Sequence, residues 1–89
     1  MLTLPMTLTH AEAAELVRGL KQAVMSEPSG VVVDASALQT FDSSALAVLL
    51  ESRREARAAG KGFSVKGLPP PLHQLAGLYG VETLLPAAA

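Results

Sequence analysis

The chain has 89 residues, seven Lys or Arg against eight Asp or Glu, a net charge of −1 and no cysteine. That balance supplies no basic run to follow a phosphate backbone, so nucleic-acid binding is not expected, and the missing thiols exclude disulfides and thiolate metal sites. This length holds one core, burying about 60–65% of the unfolded chain's surface, and its charged fraction of 17% is below the roughly 25% of an average domain, which points to a surface that keeps a partner.

The first residues carry no basic n-region and no apolar run approaches about 18 residues, so neither a signal peptide nor a spanning helix is expected and the chain reads as cytoplasmic. Leu2-Thr3-Leu4 alternates as a short strand that Pro5 ends. Thr9-His10-Ala11-Glu12 has the spacing of a capping box, and Ala13, Leu16, Val17, Leu20 and Val24 then recur at helical period. The expected helix runs from about His10 to Met25. Gly19 lies on the flank of its stripe, at a cost of up to about 1 kcal/mol relative to Ala, and is expected to admit the close approach of another backbone.

Val31-Val32-Val33, framed by Pro28-Ser29-Gly30 and Asp34, reads as a strand buried on both faces, which requires helices above and below. From Asp34 to Phe41 the pattern is irregular and predicts a connection with Leu38 and Phe41 turned inward. Ser43 to Ala59 is rich in Ala, Leu, Glu and Arg, contains neither Gly nor Pro, and stops at Gly60. That is a second helix with a left-handed stop. Phe63 to Lys66 alternates as another strand, and Pro69-Pro70-Pro71 opens a third helix whose face is Leu72, Leu75, Ala76 and Tyr79. Leu84-Leu85-Pro86 either adds a strand or simply packs, and Ala87 to Ala89 should fray. The expected class is therefore α/β, a small mixed sheet covered by about three helices in a single domain over residues 1–89.

No residue set points to catalysis. Ser43 or Ser44 with His73 and Asp34 or Asp42 would be the elements of a hydrolase, but the chain has no Gly-x-Ser-x-Gly elbow. His10 and His73 lack the third ligand and second-shell carboxylates of a catalytic zinc site, and there is no glycine-rich phosphate loop. No cofactor or metal is expected. Asp42-Ser43-Ser44 opens the second helix, where such residues accept backbone N–H bonds. A phosphate on either serine would be held by the same N–H groups while adding about 1.5–2 negative charges to the exposed end.

Periodicity also leaves apolar surface on the second helix. Ala45, Leu49, Ser52, Ala56 and Ala59 share one stripe, with Leu46 and Arg53 at its edge. Val48 and Leu50 point about 160° apart, so one of them at least is expected to be exposed. Leu50, beside Arg53, Arg54 and Arg57, has the composition of an interface anchor ringed by cations.

Residues 31 to 50, Val-Val-Val-Asp-x-Ser-x-Leu-x-x-Phe-Asp-Ser-Ser-Ala-Leu-Ala-Val-Leu-Leu, resemble the signature of STAS domains, and the resemblance continues through Lys61-Gly62-Phe63 to the end of the chain. In one branch, the anti-sigma factor antagonists, the motif is Asp-Ser-Ser-Gly and the serine matching Ser44 is a phosphorylated switch that acts on an anti-sigma kinase. In the other, the STAS subunit of the Mla-type phospholipid-trafficking ABC transporter, the motif is Asp-Thr-x-Gly and the residue matching Ser43 binds the ATPase subunit. Ala45 stands where both patterns have Gly. Leu75-Ala76-Gly77-Leu78-Tyr79-Gly80-Val81 followed by Leu84-Leu85-Pro86 is similar to the closing stretch of the transporter branch. The resemblance implies a STAS-like fold and a non-catalytic binding function. Its partner surface would be the Asp42 loop with the exposed face of the second helix, and contact with the membrane would come only through the complex. Family members usually begin with one more strand than the one at Leu2 to Leu4, and this sequence starts too late to contain it.

Overall fold

The computed structural model describes residues 1–88. In chain order it has β1 (Leu2–Thr3), β2 (Thr7–Leu8), α1 (His10–Met25), β3 (Gly30–Asp34), β4 (Thr40–Phe41), α2 (Ser44–Ala58), β5 (Gly62–Lys66) and α3 (Pro70–Leu78), then a 3₁₀ turn at Glu82–Leu84. The main sheet has the order β1-β3-β5, and β2 and β4 form a separate two-stranded ladder. Where the sequence leads one to expect a mixed sheet, the described pairings are all parallel. A helix lies in every crossover, as parallel neighbours require.

That topology accounts for the first departure from expectation. The strands step in one direction, and parallel crossovers are right-handed in nearly all proteins, so the helices gather on one face of the sheet. Val31 and Val33 are buried and Val32 between them only partly so. On β5, Val65 is buried while Lys66 is exposed. The valine run is thus covered on one face, not on both. α2 lies over this face, with Ala45, Leu49 and Ala56 wholly buried and Leu46 nearly so. Ala59 falls beyond the helix and is exposed.

α1 packs along α2, burying Ala13, Leu20 and Val24, while Val17 remains 43% exposed at the rim, outside what α2 covers. Val48 and Ser52 of α2 share a cleft with Leu16, Leu20 and Ala23 of α1. α1 thus covers Val48, which is buried, while Leu50 on the other side of α2 is half-buried against the core, where one of the two is expected outside. The Ser52 hydroxyl, buried with them, donates to the Val48 carbonyl at 2.8 Å, so its burial leaves nothing unpaired. Gly19 admits no close backbone, since a Cβ there would meet nothing within 4 Å.

Two further expectations change at the chain's short elements. The stretch before α2 is not wholly irregular: Thr7 pairs with Thr40 and Leu8 with Phe41, and the Met6 carbonyl accepts from the amides of Gln39 and Thr40 at 2.8 and 3.0 Å. Leu38 is buried and Phe41 packs on the core, as the sequence implies. At the other end, Ala87 bridges Val65 in parallel. The Val65 amide donates to the Pro86 carbonyl at 2.8 Å and the Ala88 amide to the Val65 carbonyl at 2.9 Å. Residues 87 and 88 are therefore tied to the sheet edge, whose outward N–H and C=O would otherwise lack partners. Ala89 lies outside the described residues. On α3, Leu72 and Ala76 are buried but Tyr79 is 59% exposed, because the helix closes at Leu78 and the chain turns away at Gly80 with φ +71°.

The carboxyl end of α1 is closed from a distance. The Lys61 ammonium donates to the carbonyls of Val24 at 2.9 Å, Met25 at 3.2 Å and Glu27. α1 carries no basic residue in its last turn, and Lys61 supplies the cation that its negative pole and orphan carbonyls favour.

Candidate functional site

The amino ends of α1 and α2 meet at one carboxylate. Asp42 Oδ1 accepts from the Ser44 amide at 2.8 Å, the Asp42 carbonyl accepts from the Ala45 amide at 3.0 Å, and Asp42 Oδ2 accepts from the His10 amide at 3.3 Å. The β2–β4 ladder makes this possible: it sets Leu8 beside Phe41, so the first residue of α1 arrives next to the residue that opens α2. The capping box places α1's own start, with the Thr9 amide and hydroxyl both donating to the Glu12 carboxylate at 2.8 and 2.6 Å. Ala45, which follows the serines, is wholly buried.

Electrostatics follow from these donors. The Ser44 N–H above all, and the His10 N–H with it, hold the Asp42 carboxyl below the usual carboxylate range, because both bonds favour the charged form at the positive ends of two helices. The hydroxyl and then the amide of Thr9 lower Glu12 likewise.

The capping work is thus done by Asp42 and not by the serine at the cap position. Ser43 has helical backbone angles of φ −62° and ψ −16° and no side-chain capping bond, and its side chain is exposed. Ser44 is half-buried. The hydroxyl standing free at the exposed helix start belongs to Ser43.

The other expected site residues lie further along α2. At a rise of about 1.5 Å per residue, Leu50 is about 10 Å from Ser43 and Arg57 about 20 Å, so the seven residues form a strip and not one pocket. Arg54 is held by Glu51, through its Nε at 2.9 Å, and by Glu55 at 3.4 Å. Arg53 is half-buried and Arg57 exposed. His10 and Lys61, which fix the two ends of α1, escaped the sequence reading because their partners are distant in the chain. The only local signal was the capping box that located His10 at a helix start.

A parallel sheet with helices on one face, and a pair of helix starts joined at an exposed polar loop, defines a small α/β domain. The chain belongs to the MlaB-type STAS domain family, whose profile matches residues 1–86. STAS domains are in general protein-interaction modules. No curated protein matches the chain. Among the described residues no helix is long and apolar enough to cross a membrane.

Proposed function

We propose that this protein is a non-catalytic subunit that binds the cytosolic ATPase of an Mla-type phospholipid-transporting ABC complex. It would support the assembly and activity of that complex in outer-membrane lipid asymmetry. The reading places the chain in the cytoplasm, at the inner membrane only through its partner. What carries it, beside membership of the MlaB-type family, is the exposed Ser43 hydroxyl that Asp42 frees from capping. The partner surface would run from Asp42, Ser43 and Ser44 to Leu50, Arg53, Arg54 and Arg57. A free hydroxyl at a rigid helix start is an adaptable donor and acceptor for a partner's backbone.

The alternative is an anti-sigma factor antagonist switched by phosphorylation of Ser44. It is the weaker reading, because Ser44 is half-buried and gives its amide to Asp42. A phosphate there would face a carboxylate already holding the donor it needs. Affinity purification of the tagged protein from its own cells, read by mass spectrometry, separates the two. Recovery of an ABC ATPase with its permease supports the proposal; recovery of a small serine kinase, with phosphate on Ser44, replaces it.

A further inference from the structure

Arg53 and Arg57 stand one turn apart on α2, and among the described residues neither forms an ion pair. The acids nearest in sequence, Glu51 and Glu55, are committed to Arg54. Both free guanidinium groups line a cleft of about 420 Å³ together with Gly60, Gly62, Phe63 and Thr83. Among the described residues no carboxylate lines that cleft. Lys61 reaches its wall as well, but its ammonium is spent on the carbonyls that end α1. In a chain whose net charge is −1, this concave surface carries a local field of the opposite sign.

We infer that the cleft binds an extended acidic segment of a partner protein, with carboxylates two residues apart taken by Arg53 and Arg57. The spacing supports this occupant. Side chains at i and i+4 of a helix are about 5–6 Å apart at their Cβ atoms, and same-side residues of an extended chain repeat at about 6.6 Å. A guanidinium accepts a carboxylate in a planar fork that an ammonium does not offer. The half-buried Phe63 gives the segment an apolar floor, and the Thr83 hydroxyl a polar contact for its backbone. The inference rests on the reading of α2 as a partner face, and it names the chemistry that this face takes, whichever protein supplies it.

The test is an NMR titration of the whole chain with a short capped peptide alternating Glu and Val, with its Lys-for-Glu counterpart and with inorganic phosphate. The expected result is amide shifts centred on Gly60, Gly62, Phe63 and Thr83 with the Glu peptide only. Affinity should fall about fivefold or more in the double variant Arg53→Gln, Arg57→Gln and stay unchanged in Arg18→Gln, on an exposed arginine of α1 outside the cleft. The double variant Arg53→Lys, Arg57→Lys, which keeps the charge, should recover part of the loss. Shifts elsewhere or none, equal binding by the Gln double variant, or saturation by phosphate below the concentration that the peptide needs, each overturns the proposal. No ATPase is present in this titration, so failure of the transporter reading and failure of the cleft are told apart.

Discussion

Asp42 accepts the amide of His10 across 32 positions of sequence, at 3.3 Å, while its other carboxylate oxygen holds the amide of Ser44 at 2.8 Å. One side chain therefore fixes the starts of both helices that cover the sheet. Asp42→Ala should lower the thermal midpoint by several degrees, and Asp42→Asn, which keeps one acceptor, should lower it less. Hydrogen exchange at His10 and Ser44 should rise together in the Ala variant. Unchanged protection at His10 would mean that the two helix starts are independent.

The same bonds set a pH dependence. Glu12, Asp34 and Asp42 are held below their ordinary values by the Thr9 hydroxyl and amide, the Ser36 hydroxyl and amide, and the Ser44 amide respectively. Each folded value lies below the unfolded one, so as pH falls the unfolded chain takes up protons first. Their contribution is fully present above the unfolded values of about 3.9 for Asp and 4.3 for Glu, and is lost as pH falls through the folded values. Thermal midpoints should be flat from about pH 7 to pH 5 and fall steeply below about pH 4. A profile that rises on acidification contradicts this account.

Lys61 is expected to be worth more than an ordinary surface lysine. Lys61→Met keeps the apolar stem but leaves three carbonyls at the end of α1 without the ammonium, at a cost of about 1–2 kcal/mol. Denaturant unfolding measures it, and Lys21→Met, on an exposed lysine of α1, serves as the control with a change near zero.

Two glycines should respond in opposite senses. Gly19 is helical and open, so Gly19→Ala should stabilise by about 0.5–1 kcal/mol. Gly67 has φ +68°, and a Cβ there would lie 2.7 Å from the Cβ of Ser36. Gly67→Ala should therefore destabilise by more than the roughly 1–2 kcal/mol of the left-handed backbone alone. Urea midpoints of the two variants on either side of the parent decide the matter.

Much of this fold was legible because its signals are local. Thr9 and Glu12 mark the start of α1, Gly60 marks the stop of α2, and Pro70 and Pro71 open α3. What escaped is non-local. Thr7–Leu8 and Thr40–Phe41 are too short to show a period, and only pairing with each other makes them strands. The sequence leaves at least one of Val48 and Leu50 outside, and only α1, laid beside α2, covers Val48. At the site, the sequence offered Asp42, Ser43 and Ser44 as equivalent capping residues. The division of labour among them, with Asp42 capping and Ser43 free, depends on the backbone angles at Ser43 and on the arrival of His10.

The proposed contact with an ABC ATPase is the start of α2, through Ser43. Its most direct measurement is the affinity of that ATPase for the wild type, Ser43→Asp and Ser29→Asp, by calorimetry alongside thermal midpoints. An acidic residue is well tolerated at a helix start, so Ser43→Asp should stay folded while the desolvated charge weakens binding about tenfold or more. Ser29→Asp, in the exposed turn before β3, should bind as the wild type does. Equal affinity of Ser43→Asp and wild type, or no binding of the ATPase by the wild type at all, would contradict the account.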